Sequence, residues 1–230
     1  MSLYAIGDLH LSFGKDKPMD VFGGRWENYV EKLKNGFSAL NGDDVTVLCG
    51  DISWGMSLDE AAEDFKFIEA LPGRKIVLKG NHDYWWSSGA KIEKFFAEQD
   101  IKTVSILHNN AFFYGENVAV CGTRGWFYEE EKGGAHDKKL IDRETMRLEA
   151  SLKAGGEREK YVFLHYPPKY GQYQCKELLT LLKQYGVKVC VSGHLHADSI
   201  RLAFNGIHEG TRHLCVSADA VDFKPVKLIE

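Results

Sequence analysis

Five apolar runs in this sequence end on aspartate, asparagine or histidine, the residue types that bind metals and transfer protons. In chain order, the run ends supply Asp8 and His10, then Asp51, then Asn81 with His82 and Asp83, then His165, and lastly His194 with His196. Ligands of open α/β sheets collect at the carboxyl ends of strands, so these run ends predict one shared site. A single histidine at a strand end is more often structural, and it is the repetition that indicates a site.

The candidate side chains offer carboxylate oxygen, amide oxygen and imidazole nitrogen, with no thiolate among them. Such a set suits manganese, iron, zinc or cobalt better than the all-oxygen site that calcium prefers. The spacings Asp8-x-His10 and His194-x-His196 place both members of each pair on one face of an extended segment. The candidate ligands exceed the number that one tetrahedral zinc needs, whereas two ions sharing a bridging carboxylate would use all of them.

The elements that must position these side chains follow from the spacing of apolar residues. Strands are expected at residues 3–6, 45–49, 75–78, 104–107, 111–114, 118–121, 161–164, 187–191, 200–204, 213–216 and 226–229. Helices are expected at residues 26–40, 57–68, 89–99, 142–154 and 174–185, and the second of these opens on the capping pair Ser57 and Glu60. Residues 122–137 are irregular, and we interpret them as a loop or lid.

Early strands alternate with helices, while the middle and the tail of the chain hold runs of strands. This mixture indicates an α/β (α+β) fold in which two sheets pack together with helices outside. The sequence has no repeat, linker or low-complexity boundary, so we expect residues 1–230 to form a single domain.

The overall charge excludes some classes of partner. A formal net charge of -4 gives no general basic field for nucleic acid or for an anionic membrane. Attraction of an anionic substrate would therefore be local, which favours metal ions over a basic patch. No apolar stretch approaches the roughly 20 residues that cross a bilayer, and no signal peptide is recognisable. The 5 cysteines form no Cys-x-x-Cys pair, and they are expected to be reduced core thiols of a cytoplasmic protein.

The motifs D-x-H, G-D, G-N-H-D, H and G-H-x-H occur in this order between Asp8 and His196, and their order resembles the calcineurin-like metallophosphoesterase superfamily. The resemblance implies a four-layer αββα sandwich, with two mixed β-sheets flanked by helices. It also implies two divalent or trivalent metal ions of manganese, iron, zinc or cobalt at the strand ends.

Carried over by position, the resemblance also assigns roles to the motif residues. Asp8, His10 and His196 would hold one metal ion, and Asn81, His165 and His194 would hold the other. Asp51 would bridge the two ions, and a hydroxide bridging them would attack phosphorus in line. His82 would act as the general acid for the leaving oxygen, with Asp83 orienting it.

The expected activity is hydrolysis of a phosphoric ester, either a small molecule or a nucleotide. The motifs do not separate a phosphomonoesterase from a phosphodiesterase. Protein serine/threonine phosphatases of this superfamily continue the second motif with an aspartate and an arginine. Here Asp51 is followed by Ile52-Ser53-Trp54-Gly55, with no arginine, which disfavours a protein phosphatase. The alternative is a non-catalytic metal-binding scaffold of the same fold, although such scaffolds typically lose the acid histidine or some ligands, and none is missing here.

Residues near the motifs are candidates for contact with the substrate. Trp54, Tyr84 and Trp85 could stack a flat group such as a nucleobase, or they could simply wall the site with apolar bulk. Arg124 is a phosphate clamp by type, and an ordinary salt bridge is equally compatible with its position. His136 lies in the glycine-rich loop, and a mobile lid could bring it to the substrate.

Overall fold

The apolar runs that precede the candidate ligands form strands of two sheets. The computed structural model describes residues 1–127 and 134–229. Its strands are β1 (Leu3–Ile6), β2 (Val45–Leu48), β3 (Arg74–Val77), β4 (Val104–Ile106), β5 (Phe112–Tyr114), β6 (Val118–Thr123), β7 (Glu159–Leu164), β8 (Lys169–Tyr170), β9 (Tyr173–Gln174), β10 (Val189–Ser192), β11 (Gly206–His208), β12 (Thr211–Cys215) and β13 (Val226–Ile229). The α-helices are α1 (Tyr29–Phe37), α2 (Ala62–Ala70), α3 (Gly89–Glu98), α4 (Ala135–Ala154) and α5 (Lys176–Gln184).

Both large sheets are mixed. The first has the order β13-β1-β2-β3-β4, in which β1 to β4 are parallel and β13 pairs with β1 in the antiparallel sense. The second has the order β11-β12-β10-β7-β6-β5, with parallel inner strands and antiparallel strands at both edges. The strands that lead to the candidate ligands, β1, β2, β3, β7 and β10, all lie in the parallel parts, so within each sheet their carboxyl ends share one edge.

The apolar residues divide into three clusters that define the layers. Val47 and Leu78 of the first sheet pack with Phe163 and Val191 of the second between the two sheets. The outer face of the first sheet packs on α1, α2 and α3, and the outer face of the second packs on α4 and α5. Because both faces of each sheet are covered, the inner strands read as continuous apolar runs. The predicted αββα sandwich is confirmed.

Backbone hydrogen bonds join the two sheets at the edge where the candidate ligands lie. The N–H of Gly7, just after β1, donates to the carbonyl of Val216 at 2.8 Å, and the N–H of Ala218 donates to the carbonyl of Gly7 at 2.9 Å. A second link joins the loops after β1 and β2, where Leu11 donates to the carbonyl of Ile52 at 2.9 Å. The loops that carry the first two motifs are therefore tied to each other and to the second sheet.

Several predicted elements have different bounds in the structure. Helix α4 begins at Ala135 rather than at residue 142, because its first two turns are mostly polar and carry no apolar stripe. The strand expected at residues 200–204 is instead a 3₁₀-helix, Ala197–Leu202. Trp26 lies in a separate 3₁₀-helix, Gly24–Trp26, ahead of α1. The N–H of Glu60 does donate to the Ser57 hydroxyl at 3.3 Å, but this pair forms a turn before α2, which begins at Ala62.

The loop predicted at residues 122–137 falls partly on residues 128–133, which lie outside the described residues. Within the described ranges, β6 extends to Thr123 and α4 takes in the last residues of the predicted loop. None of the helices described is both long enough and apolar enough to cross a membrane.

Candidate metal centre

The backbone at the strand ends adopts a conformation that most residues avoid. Asp8, His10, Asp51 and His194 have positive φ angles of 57°, 47°, 52° and 71°. Such angles are uncommon outside glycine, and they cluster at functional sites, where the surrounding structure holds them in place. Four of the seven candidate ligands therefore lie in strained turns.

The motif glycines allow the ligand loops to approach each other closely. A β-carbon at Gly193 would lie 2.5 Å from Oδ2 of Asp8. A β-carbon at Gly80 would overlap the carboxylate and backbone of Asp51. Glycine at these two positions is thus a steric requirement for bringing the aspartates under the facing loops.

The structure brings the candidate ligands of the second predicted ion together around Asp51. Ligand atoms of Asp51 and His165 lie within 4.8 Å of each other and of those of Asp8, and all three residues are buried. Asp8, which the resemblance assigns to the first ion, therefore lies close to both. Nε2 of His165 is 2.6 Å from Oδ1 of Asn81 and 3.6 Å from Oδ2 of Asp51. Nδ1 of His194 is 3.0 Å from the same Asn81 oxygen.

Two histidines assigned to the first predicted ion, His10 and His196, also lie near Asp51 and form the first ligand group with Asp8. Nε2 of His10 is 3.8 Å from Oδ2 of Asp51, the same carboxylate oxygen that faces His165. The rings of His10 and His196 are 5.4 Å apart. Asp51 therefore stands between the two groups of histidines, in the position that a bridging ligand would need.

The chemistry of the donor set fits a cation. Both ring nitrogens of His10 are buried and have no hydrogen-bond partner among the described residues. Burial raises the pKa of the Asp8 and Asp51 carboxyls, and the nearby charge of Asp51 raises that of Asp8 further. Burial also lowers the pKa of His165 to about 3 and that of His194 to about 2, which leaves their imidazoles neutral with free lone pairs. Neutral imidazoles and buried carboxylates fit divalent metal ions.

The tautomer of His165 is fixed by the main chain. Its Nδ1 lies 3.0 Å from the carbonyl oxygen of Cys49. A carbonyl can only accept, so Nδ1 carries the hydrogen and Nε2 presents its lone pair toward Asn81 and Asp51. Histidines that bind metals are commonly held in this way by a second hydrogen bond.

His82 borders the same site without belonging to the ligand groups. Its ring is half-buried, 4.5 Å from the ring of Trp54 and 5.7 Å from that of His10. Its backbone N–H donates to Oδ1 of Asp51 at 2.8 Å, which fixes the turn that carries the ring. Burial lowers the pKa of His82, and the carboxylate of Asp51 opposes that effect.

The expectation that Asp83 orients His82 is not supported by its contacts. The buried Asp83 carboxylate accepts hydrogen bonds from the backbone N–H groups of Asp51, Ile52 and Gly80, at 2.9, 2.8 and 2.7 Å. It also accepts from the indole N–H of Trp85 at 2.9 Å. Because the side chain turns back under its own loop, Asp83 holds the loops of Asp51 and Gly80 in place. None of these contacts involves the imidazole of His82.

The three aromatic candidates have different surroundings. Trp54 stacks on His10 with the ring centroids 4.8 Å apart, so it walls the site on the side of the first ligand group. Tyr84 is 55% exposed, and its ring is 6.2 Å from that of His82. Trp85 is wrong as a substrate contact, because it is 2% exposed and packs on Phe65 in the core. Trp85 faces inward because its indole N–H binds Asp83.

The salt bridge that the sequence left open for Arg124 is present in the structure. The Arg124 guanidinium is 3.7 Å from the buried carboxylate of Glu144, and it lines a cavity of about 80 Å³ with Lys79 and Arg147. The cation beside the ligand groups is Lys17, whose ammonium lies 3.1 Å from the ring centroid of Trp54. Lys17 was missed because it lies in a polar loop, and no local pattern shows where that loop folds. His136 is exposed at the start of α4, and its contact with substrate stays a prediction.

The fold is shared with solved structures of low sequence identity. A protein of unknown function from Aquifex aeolicus is 16% identical, with a TM-score of 0.53 over 98% of this chain and 95% of that chain. The phosphopantetheinyl hydrolase PptH from Mycobacterium tuberculosis is 14% identical, with a TM-score of 0.60 over 99% of this chain and 95% of that chain. No curated protein matches the chain significantly.

The sequence profile of one family spans most of the chain. The profile described as calcineurin-like phosphoesterase matches residues 1–198, which include every motif from Asp8 to His196. This match agrees with the αββα layers and with the buried group of Asp8, Asp51 and His165. The chain belongs to the calcineurin-like phosphoesterase family.

Proposed function

We propose that this protein is a hydrolase of phosphoric esters that works with two metal ions at the centre described above. The observation that carries the proposal is the position of Asp51, whose Oδ2 faces His165 at 3.6 Å on one side and His10 at 3.8 Å on the other. Membership of the phosphoesterase family supports the reaction class, and the fold shared with a phosphopantetheinyl hydrolase supports a phosphoester as the substrate class.

In this proposal, Asp8, His10 and His196 hold one ion, while Asn81, His165 and His194 hold the other, with Asp51 shared. Metal ions held there would supply positive charge for the phosphoryl oxygens and would activate water as the nucleophile. The protein contributes a dry, fixed arrangement of donors, because the carboxylates and His165 are fully buried. The proposed substrate is a small phosphate ester or a nucleotide.

His82 is the proposed proton donor to the leaving oxygen. Its ring lies at the edge of the ligand groups, between Trp54 and the open side where Tyr84 is exposed. Nδ1 of His82 has no partner among the described residues, so its protonation is not fixed by a protein contact. Asp83 supports the site by holding the loop of Asp51, as its backbone contacts indicate.

The test combines metal analysis with two substrates. Protein loaded with manganese is assayed against an aryl phosphate and a bis-aryl phosphate, and its metal content is measured in parallel. We expect about two ions per chain and turnover of at least one ester, with the preferred ester deciding between monoesterase and diesterase. Bound metal without turnover of either ester would favour the scaffold alternative, and absence of bound metal would contradict the proposal.

A further inference from the structure

A cavity of about 350 Å³ opens beside the first ligand group. His196 lines this cavity and also faces His10, so the cavity adjoins the metal centre. We propose that it receives the organic group of the phosphoester, and that this group is mainly apolar with a hydrogen-bond donor. This inference rests on the proposed function, because it places the phosphate at the metal centre.

The walls of the cavity are apolar and come from the segment before α1. Met19, Phe22 and Trp26 line it, and Trp26 is also 5.9 Å from the ring of His10. An apolar cavity of about 150 Å³ is enough to hold a benzene ring, and ligand pockets usually begin near 300 Å³. The volume here therefore accommodates a group larger than a single ring.

One polar atom in the cavity lining lacks a partner. Asp219 is 2% exposed, and its Oδ2 accepts a hydrogen bond from the N–H of Ala197 at 2.7 Å. Its Oδ1 is buried and has no partner among the described residues. The guanidinium of Arg25 is bound to the backbone carbonyl of Asp219 at 2.9 Å rather than to that oxygen. A buried carboxylate oxygen without a partner is costly, and a rotation of this side chain toward the cavity would let a hydroxyl or N–H of the ligand bind it.

Phe22 and its neighbour Val21 form a matched pair for the test. Both are exposed, at 67% and 74%, so truncation of either removes little from the core. Phe22 lines the cavity, whereas Val21 does not. Phenyl phosphate and 2-naphthyl phosphate have leaving groups of similar acidity, so a difference in KM between them reports on the space for the organic group.

We expect the wild-type protein to have a lower KM for 2-naphthyl phosphate than for phenyl phosphate. Phe22→Ala should raise the KM for the naphthyl ester by about 3- to 10-fold, because ring burial is lost, while kcat stays the same. Val21→Ala should leave both constants unchanged. Equal behaviour of the two variants, or a wild-type protein without preference for the larger ester, would overturn the proposal.

Binding of 2-naphthol, measured by calorimetry on the metal-loaded protein, separates this proposal from the proposed function. If neither ester is hydrolysed but 2-naphthol binds and Phe22→Ala weakens it, the cavity assignment stands and the hydrolase assignment fails. If the esters are hydrolysed and 2-naphthol binds both variants equally, the hydrolase assignment stands and the cavity assignment fails.

Asp219→Asn tests the hydrogen-bond donor. Asparagine can still accept from Ala197 through its oxygen, but it presents an NH₂ group to the cavity instead of an acceptor. The wild-type protein should prefer 6-hydroxy-2-naphthyl phosphate to its 6-methoxy analogue in KM, and the variant should lose that preference. A preference that survives in Asp219→Asn would overturn the role of this carboxylate.

Discussion

The ammonium group of Lys17 lies 3.1 Å from the ring centroid of Trp54, and that ring in turn stacks on His10. The contact holds a positive charge next to the ligand groups, on the side where Trp54 walls the site. It is a cation–π contact that a phosphate could replace, because an ammonium is a compact donor with rotational freedom. We therefore propose Lys17 as a contact for an anionic substrate.

Replacing this lysine should weaken catalysis without affecting the fold. Lys17→Met removes the charge and keeps most of the side-chain length, and we expect kcat/KM for an aryl phosphate to fall by about 10-fold. Lys15→Met is the matched control, because Lys15 pairs with Glu60 on the surface at 2.9 Å. Steady-state kinetics of both variants check the prediction, and equal kinetic constants for the two would contradict it.

His82→Ala should separate chemistry from metal binding. The ring of His82 lies beside the ligand groups and accounts for none of the proposed ligand positions. We expect the variant to keep its metal content and to lose about 10²- to 10⁴-fold in kcat, the usual contribution of a positioned proton donor. His208→Ala is the control for loss of an imidazole far from the site. Loss of bound metal in His82→Ala would mean that His82 is a ligand.

Asp51→Asn should change how stability responds to metal. Without metal, Asp51 and Asp8 are buried carboxylates that repel each other, so we expect the variant to unfold at a higher temperature than the metal-free wild type. With manganese at 100 times Kd, the wild type should gain about 2.7 kcal/mol for each ion bound, and the variant should gain little. Thermal unfolding with chelator and with manganese measures both effects. An equal gain in the two proteins would exclude Asp51 as a ligand.

Asp83→Asn tests whether Asp83 supports the loops of Asp51 and Gly80 or orients the ring of His82. The amide would present an NH₂ group to backbone N–H donors that now bind a carboxylate, so one or more of these hydrogen bonds would be lost. We expect a fall of about 1–3 kcal/mol in the free energy of unfolding and weaker metal binding. If Asp83 acted only through His82, kcat would fall while stability and metal affinity stayed at wild-type values. Urea unfolding and metal titration decide between the two.

Asp64→Asn should remove part of the pH dependence of stability. Asp64 lies on α2 and accepts hydrogen bonds from the N–H of Phe13 and the hydroxyl of Ser53, so it ties together the loops after β1 and β2. Burial raises the pKa of its carboxyl to about 6. Aspartate in the unfolded chain has a pKa of about 3.9. Between about pH 4 and pH 6 the folded chain therefore binds the proton more tightly than the unfolded chain does. The free energy of unfolding consequently falls as the pH rises through this range.

The variant has no ionisable group at this position, and it should be more stable than the wild type at pH 7 by an amount on the order of 1–3 kcal/mol. The difference should vanish below about pH 4, where the carboxyl is protonated in both states. Urea unfolding across this range checks the sign. Asp59→Asn, at an exposed position of the turn before α2, is the control. A difference that grows toward low pH would contradict the prediction.

The sandwich and the convergence of the ligands could be predicted from sequence for a physical reason. Parallel strands covered on both faces must be apolar, so strands such as β2 and β10 are visible as apolar runs, and the polar residues that follow them stand out. The glycines at 80 and 193 are also part of the pattern, since they are needed where loops meet. The apolar runs, the polar residues after them and the glycines all lie close together in the chain, so they can be recognised from the sequence alone.

The features that sequence reasoning missed depend on contacts between distant segments. Asp83 follows His82 in the chain, yet its carboxylate is used by the backbone of Asp51 and Ile52, about thirty residues earlier. Trp85 is buried because of that same carboxylate. Lys17 and Asp219 come to the site from opposite ends of the chain. The residues next to them in the sequence form no motif that indicates this position. The first turns of α4 are mostly polar, so they lack the regularly spaced apolar residues that indicate a helix in a sequence.

The hydrogen bonds of Gly7 to Val216 and Ala218 fasten the sheets at the edge that holds the ligands. Movement of one sheet against the other would have to break them, so this edge acts as a fixed platform. Under the proposed function, selection between substrates would fall to the segment that carries Lys17 and Phe22. Exchanges at these surface positions would then alter recognition and leave the joined edge as it is.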